Sequence, residues 1–331
     1  MRGLRRPGRR TCAHSTGGRG NPAARSRLAR LPDAGRMAFV DGFNLSALPP
    51  LRSPVVVMAF TGWSDTGTVT TDAGLRLIET CGAERFLSID PEDYHVFTEN
   101  RPLVKLDDEG QRSIEWPRNE AYFAALPDAP HDLVVVVGAE PNLRWRTFSE
   151  RLAEVVAGLS PSLVCTLVAR PAATPHTRPI PVSGSSADPL LAARFGLGPS
   201  MYQGPTGIIG VLHDALRRRG APLISLAAGV PHYLNVDENP LATRALLEAL
   251  PPVVGFTPDL GDLEEQGKRF LARVEEASRG DEQIGQYVTM LEENYGQTPE
   301  FAAAFDEGEP GDLPPAADIL RDVEDFLRGT Q

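Results

Sequence analysis

Short apolar segments alternate with longer segments of helical periodicity along most of the chain. Residues 55–60 form a continuous apolar run, which is typical of a strand buried on both faces. Residues 68–81 carry apolar positions at helical spacing, which predicts a helix. The alternation recurs, with predicted strands at 85–89, 133–137, 163–168 and 223–227 and predicted helices at 143–159, 207–219 and 240–250. This order implies right-handed parallel crossovers, so we predict an α/β fold: a three-layer sandwich around a mostly parallel sheet.

Two segments depart from this alternation. Residues 103–106 and 112–116 flank a polar turn, which predicts an inserted antiparallel hairpin placed at an edge or an oligomer contact. Beyond residue 257 the composition shifts to charged helices, predicted at about 260–278, 281–294 and 315–327. We therefore divide the chain into an α/β core domain, residues 37–257, and a C-terminal helical region, residues 258–331.

Charge separates the first 36 residues from the rest. They hold ten Arg and one Asp, net +9, which leaves 23 basic and 43 acidic residues, net −20, for residues 37–331. The segment 1–36 has no hydrophobic period, and we interpret it as a basic disordered tail or a start codon assigned too far upstream. The acidity of the body argues against nucleic acid or an anionic membrane as its partner.

Cysteine and glycine spacing excludes several classes of site. Cys12, Cys81 and Cys165 are scattered, and the latter two are interpreted as small buried residues in a reducing cytoplasm. No CxxC or HExxH motif is present, so we predict no metal site. Glycines spaced in threes from Gly204 do not match the dinucleotide fingerprint, and we predict no cofactor.

Polar strings stand directly after the predicted strands or open a helix. In an open α/β sheet the carboxyl ends of the strands carry the binding loops, so we predict a ligand site there. The candidate ligand-binding residues are Gly62, Trp63, Asp65, Gly67, Asn142, Arg144, Arg146, His176, Thr177, Arg178, Tyr202, Gly204, Thr206, Gly207 and His232.

The string from Gly62 to Thr68 is close to a phosphate loop but has Thr where that loop requires Lys, which disfavours nucleotide hydrolysis. Its backbone amides could still hold a carboxylate or phosphate. The alternative is a tight turn permitted by its two glycines, with Trp63 packed. In the later string, Thr206 is placed to cap the helix that begins near Gly207.

Arginine and histidine side chains follow two of the strands. Arg144, Arg146 and Arg178 could meet above the sheet and bind an anionic group. The alternative is pairing with Glu140, Asp65 or other local carboxylates, or with a neighbouring subunit. For nucleophilic catalysis the candidates are Ser64, Ser183, Ser185 and Ser186, with His176, His213 or His232 as base. No GxSxG elbow accompanies them, and 183–186 is typical of a flexible loop. The catalytic residues stay unassigned.

Five strings taken together resemble one family. They are Gly62-Trp-Ser-Asp65, Pro141-Asn-Leu-Arg-Trp-Arg146, Pro175-His-Thr-Arg-Pro179, Tyr202-Gln-Gly-Pro-Thr-Gly207 and Val230-Pro-His-Tyr233. In this order, over about residues 40–300, they resemble the proteasome assembly chaperone 2 family in its high-GC bacterial branch.

The resemblance implies a phosphorylase-like α/β core, homo-oligomerisation as a trimer or larger assembly, and kinship with factors that assist assembly of the proteasome α ring. Those factors commonly dock through a C-terminal tail with a hydrophobic, Tyr-containing motif, and this chain ends Phe326-Leu-Arg-Gly-Thr-Gln331 without the Tyr. Two hypotheses follow. The first is a non-catalytic, cytoplasmic, chaperone-like oligomer that meets proteasome subunits; the second is a binder of an anionic small molecule, or an enzyme, that uses the strand-end loops.

Overall fold

The computed structural model describes residues 38–40, 42–107, 109–234, 236–279 and 282–295. The strands are β1 Ala38–Val40, β2 Phe43–Leu45, β3 Val55–Thr61, β4 Glu84–Ile89, β5 Leu103–Leu106, β6 Arg112–Glu115, β7 Asn119–Ala124, β8 Leu133–Ala139, β9 Leu163–Ala172, β10 Val182–Ser185 and β11 Leu223–Pro231. The helices are α1 Val69–Thr80, α2 Trp145–Gly158, α3 Pro189–Phe195, α4 Ile208–Arg218, α5 Pro240–Ala249, α6 Pro251–Val254, α7 Leu263–Ala277 and α8 Glu282–Asn294.

Nine of these strands form one sheet in the order β1-β2-β4-β7-β8-β3-β9-β11-β10. The four strands β8, β3, β9 and β11 run parallel to one another, and every other pair of neighbouring strands in this sheet is antiparallel. A strand that is covered on both faces needs apolar residues on both faces. The continuous apolar runs of the sequence therefore predicted these four central strands.

Helices cover both faces of this centre. Alternate residues of β3 enter two separate apolar clusters: Val57 packs on the side of α1 and α5, and Met58 on the side of α2 and α4. The two faces differ because successive side chains of a strand point in opposite directions. The predicted three-layer α/β sandwich is therefore confirmed.

The antiparallel ends of the sheet were predicted only in part. The predicted strand at 85–89 is β4, but it pairs antiparallel with β2 and β7 and does not join the parallel centre. β1, β2 and β7 were not predicted: β7 carries polar residues, and β1 and β2 have only three residues each, so none gives a strong periodic signal. Residues 183–186 were interpreted as a flexible loop. That interpretation is wrong, since Ser183 to Ser185 belong to the edge strand β10, which pairs with β11.

The predicted hairpin is present as a separate two-stranded sheet of β5 and β6. In the C-terminal helical region, α7 and α8 pack on the segment after β11 through an apolar cluster that includes Tyr233, Phe270, Val274 and Leu291. The predicted helix at 315–327 and the tail 1–36 lie outside the described residues. No helix within the described ranges combines the length and the hydropathy needed to span a bilayer.

Candidate functional site at the carboxyl ends of the strands

The predicted polar strings do come together at one edge of the sheet. Ala169, in the carboxyl-terminal half of β9, donates its N–H at 2.8 Å to the carbonyl of Ser64, which follows β3. His232, which follows β11, donates its N–H to the Ala172 carbonyl of β9 at 3.1 Å. Parallel neighbours bring their carboxyl ends to the same edge, so four loops share one surface.

A carboxylate of the chain itself binds one backbone amide of the loop that the sequence marked as an anion site, and a second amide at the start of α4. Glu140 follows β8, and its two oxygens accept the N–H of Trp63 at 3.1 Å and of Ile208 at 2.6 Å. Gly62 has a φ of 110°, and a Cβ there would lie 2.6 Å from one oxygen; a Cβ at Gly207 would lie 2.7 Å from the other. Both glycines are thus required by the close approach of this carboxylate.

The start of α4 differs from the expectation. The N-cap residue of this helix is Gly207, which makes no side-chain capping hydrogen bond. The prediction that Thr206 caps the helix is therefore wrong. The Thr206 hydroxyl lies 3.4 Å from the Gly207 carbonyl, and the carboxylate after β8 satisfies the first helical amide instead. Tyr202 folds back over Gly204 and donates its O–H to the Pro205 carbonyl at 2.7 Å.

A second carboxylate that bonds to the chain's own groups lies just before α1. Asp65 is buried and accepts the Thr70 N–H and the Thr71 O–H, each at 2.6 Å. Burial raises the pKa of Asp65, although these hydrogen bonds oppose the shift. Gly67, at φ 64°, accepts the Asn239 N–H at 3.1 Å and so ties this turn to the start of α5. The turn resembling a phosphate loop therefore uses its polar groups inside the fold.

Arg144 and Asn142 hold the loop after β8 against the segment before the hairpin. Arg144 is the N-cap of α2 in the left-handed region, at φ 56°, and its guanidinium pairs with Asp93 at 2.7 Å and lies 5.8 Å from the Tyr94 ring centre. The Asn142 side-chain oxygen accepts the Val96 N–H at 3.0 Å. Arg144 thus pairs with a local carboxylate. Its partner is Asp93 and not Glu140 or Asp65, the two acids that the sequence suggested.

The other two candidate arginines are exposed. Arg146 lies in the first turn of α2, and Arg178 lies in the loop after β9. Trp63, expected to pack if its loop were only a tight turn, is 60% exposed. These three side chains face solvent at the edge where the loops meet.

The candidate histidines contact tyrosines. The Tyr233 hydroxyl accepts the backbone N–H of His176 at 2.8 Å and lies 2.7 Å from the Nδ1 of the same residue. Burial lowers the pKa of His176, against the raising effect of nearby carboxylates. His232 places Nδ1 3.0 Å from the Ala172 carbonyl, which requires Nδ1 to donate. Nε2 of the neutral ring is then an acceptor for the Tyr287 O–H at 2.8 Å.

Helix α8 thereby covers this part of the edge. Besides Tyr287, it provides Glu292, whose carboxylate accepts the O–H of Thr177. Tyr295, just after the helix, donates its O–H to the Pro179 carbonyl at 2.9 Å. The loop after β9 is therefore in contact with the C-terminal region rather than open to a ligand from that side.

The candidate nucleophiles are not joined to the candidate bases. Within the described residues no hydrogen bond links Ser64, Ser183, Ser185 or Ser186 to any of the three candidate histidines. Ser186 donates its O–H to the Leu223 carbonyl at 2.8 Å. His213 lies against Thr166, with Nε2 2.7 Å from the hydroxyl, and burial lowers its pKa to about 4. Across the described part of the chain, no group of three His, Cys, Asp or Glu side chains is placed to hold a metal ion.

Sequence reasoning missed two polar centres. The sequence analysis considered Glu140 only as a salt-bridge partner. An acid directly after a strand can bind the amides at a glycine-rich helix start, so its position could have predicted this contact. His95 is buried between two amides, with Nε2 3.0 Å from Asn119 and Nδ1 3.2 Å from Asn100, and burial lowers its pKa. No spacing signal in the sequence marks this second group.

The three layers, the hairpin and the polar loops at one sheet edge define an α/β sandwich protein with a C-terminal helical cover. The PAC2 family model matches residues 59–278. The chain therefore belongs to the PAC2 family.

Solved structures agree with this assignment. A PAC2 family protein from Streptomyces avermitilis is 41% identical, with a TM-score of 0.66 over 71% of this chain and 99% of that chain. A proteasome-assembly chaperone homologue from Mycobacterium tuberculosis is 38% identical, with a TM-score of 0.63 over 71% and 99%. An archaeal proteasome activator from Pyrococcus furiosus shares the fold at 17% identity, with a TM-score of 0.58 over 72% and 98%. The search of curated proteins found no match.

Proposed function

We propose that this chain is a non-catalytic, homo-oligomeric chaperone that acts in proteasome assembly, with proteasome α subunits as its partner. The relation to a proteasome-assembly chaperone homologue at 38% identity supports the partner. The single observation that carries the non-catalytic part is the internal use of polar groups at the sheet edge. Glu140, Asp65, His176 and His232 each bond to groups of the chain itself.

The exposed hairpin supports the oligomeric part. Because side chains alternate along a strand, Val104, Leu106 and Ile114 lie on one face of β5 and β6. Each is between 58% and 65% exposed. A two-stranded hairpin is marginal in water without a surface to pack on, so this apolar face is suited to a neighbouring copy.

The function can be tested on the α subunits of a proteasome from a high-GC bacterium. Purified α subunits, kept as monomers, are mixed with the full chain, and the appearance of α rings is followed by native mass spectrometry. We expect rings to form faster with the chain present, and a transient complex of chain and α subunit to precede them.

A matched control makes the test specific. The Val104→Lys/Ile114→Lys double variant changes the proposed oligomer contact, and Leu103→Lys/Ser113→Lys adds the same charge on the opposite hairpin face. If ring formation has the same rate with and without the chain, and no mixed complex is detected, the assembly role is wrong. Hydrolysis or ligand turnover by the chain would contradict the non-catalytic part.

A further inference from the structure

The imidazole ring of His95 contacts the chain on both sides of the hairpin. His95 lies in the segment between β4 and β5, and its side chain is buried. Its Nδ1 lies 3.2 Å from the side-chain nitrogen of Asn100, which precedes β5. Its Nε2 lies 3.0 Å from the side-chain nitrogen of Asn119, the first residue of β7. The same ring is therefore in contact with the chain just before and just after the hairpin.

The orientation of the Asn100 amide is fixed by its neighbours. Asn142 Oδ1 accepts the Val96 N–H at 3.0 Å and a hydrogen from Asn100 Nδ2 at 3.2 Å. Asn142 Nδ2 in turn donates to the Glu99 carboxylate at 2.9 Å, and an ionised carboxylate can only accept. Asn100 therefore presents its NH2 group to the ring, and His95 Nδ1 has to accept from it.

The ring has to be neutral in this arrangement. A neutral imidazole has one acceptor nitrogen and one donor nitrogen, whereas a protonated imidazole has two donors. With Nδ1 of His95 as the acceptor, Nε2 carries the hydrogen and needs an acceptor of its own. The Asn119 side-chain oxygen is buried and has no hydrogen-bond partner in the described part of the chain. It becomes that acceptor when the Asn119 amide turns over, so both ring nitrogens are satisfied without a second proton.

The charges around the ring are engaged elsewhere. The charged and titratable groups of the segments that surround it are Glu92, Asp93, Tyr94, Glu99, Arg118, Glu120, Glu140 and Arg144. Four of these groups form ion pairs that do not include His95, and two carboxylates bond to Asn142 and to backbone amides. Burial lowers the pKa of His95, and the contact with Asn142 opposes the shift. The ring is thus neutral at pH 7 and takes up a proton in mild acid.

We propose that His95 is a pH-sensitive clamp on the stem of the hairpin, residues 100–102. A proton on Nδ1 makes that nitrogen a donor, which faces the Asn100 NH2 group and competes with it for the Asn142 oxygen. Asn100 then leaves the ring, and the ring holds the hairpin only at its Asn119 end. The consequence for assembly rests on the proposed function, because the hairpin carries the proposed contact between copies.

Trp116 reports the position of the hairpin. It follows β6, and the centre of its ring lies 4.9 Å from that of Phe97 in the His95 segment. The full chain is labelled with 5-fluorotryptophan, and the ¹⁹F NMR signal of Trp116 is identified among the three tryptophans with Trp116→Phe. We expect this signal to shift between pH 8 and pH 4.5, with a midpoint below the ordinary histidine value of 6.5. In His95→Gln the shift should be lost.

A second variant keeps the histidine and changes its neighbour. Asn100→Asp places a carboxylate where a protonated Nδ1 can donate, so the midpoint should rise by about one pH unit. Asn294→Asp introduces the same charge on the exposed side of α8 and should leave the midpoint as it is in the unsubstituted chain. Equal midpoints in these two variants would overturn the clamp.

Two further outcomes would also contradict it. One is a Trp116 signal that stays constant over this pH range, and the other is a shift of equal size in His95→Gln. Each measurement is repeated in Val104→Lys/Ile114→Lys, which removes the proposed contact between copies. The clamp predicts the same midpoint in that background, and a shift that disappears there is caused by dissociation and overturns the clamp. The mass of the chain tests the contact between copies independently, so either proposal can fail without the other.

Discussion

The hairpin and the strand-end loops differ in which side chains they expose. The hairpin of β5 and β6 exposes Val104, Leu106 and Ile114 to solvent, although these residue types are usually buried. The strand-end loops contain charged and polar residues, yet Glu140 and Asp65 turn inward and bond to helix amides. The hairpin exposes apolar side chains, whereas the strand-end loops satisfy these two carboxylates internally.

This difference indicates where the protein meets other molecules. A polar group whose hydrogen bonds are already made gains little from a ligand, because binding has to break those bonds first. An exposed apolar face gains free energy as soon as a second surface covers it. Glu140 and Asp65, which lie in the polar strings, therefore bond within the fold, and we expect the hairpin to be the stronger candidate for a contact surface.

The largest expected effect is on assembly. Val104→Lys/Ile114→Lys places two charges on the apolar hairpin face and should convert the proposed homo-oligomer to single chains, measured as the mass of the full chain by light scattering. Leu103→Lys/Ser113→Lys, on the opposite face, should keep the assembly. An unchanged mass in the first variant, or dissociation of both, contradicts the contact assigned to this face.

His213 is expected to make stability depend on pH. Its folded pKa of about 4 lies below the ordinary 6.5, so the unfolded chain binds a proton that the buried ring excludes. The stability that neutral His213 supplies is complete above pH 6.5 and is lost as the pH falls towards 4, an effect of about 3 kcal/mol. Urea unfolding of the chain and of His213→Gln from pH 4 to 8 should show their difference in unfolding free energy shifting by this amount.

A substitution that removes no titratable group, Thr289→Ala on the exposed side of α8, serves as the control for that measurement. It should leave the pH dependence as it is in the unsubstituted chain. Parallel curves for the chain and His213→Gln would show that the buried ring does not exclude the proton. Burial also lowers the pKa of His95 and of His176, both in the unsubstituted chain and in His213→Gln. The stability of both proteins therefore still falls to some extent as the pH falls.

Glu140→Ala tests the internal use of the strand-end loops. It removes the acceptor of two backbone N–H groups and the negative charge at the start of α4, which should lower the free energy of unfolding by about 2 to 3 kcal/mol. Glu140→Gln keeps one acceptor oxygen and should cost less. Glu265→Gln, which removes an exposed ion pair with Arg269, should change stability by less than about 0.5 kcal/mol. Equal stability of Glu140→Ala and Glu265→Gln would show that the carboxylate does not hold the loops.

The smallest effect concerns the cover formed by α8. Tyr287→Phe removes the hydroxyl that bonds to His232, a loss of about 1 kcal/mol, which should speed hydrogen exchange of the α8 amides about fivefold. Thr289→Ala is the control, because the Thr289 hydroxyl bonds to Gly285 within the same helix. Exchange that responds equally to both changes would indicate helix fraying rather than loss of docking.

Much of the fold could be predicted from the sequence, and less of the site. The parallel centre, helices α1, α2, α4 and α5, and the hairpin follow from periodicity and turn residues. The strands β1, β2 and β7 could not be predicted, because short or polar strands owe their state to pairing with neighbours. At the site, the loops were correctly placed after the strands. The capping role given to Thr206 was wrong, because an acid 68 residues away reaches that helix start first.

The sequence by itself determined the layers and the edge at which the loops meet. Continuous apolar runs can only be buried on both faces, and parallel strands then bring their carboxyl ends together. Tertiary structure alone decided what each polar group bonds to. Glu140 finds the amide of Ile208, and His232 finds Tyr287 55 residues later. Spacing along the chain carries no information about such distances, so the partners exist only once the core has packed.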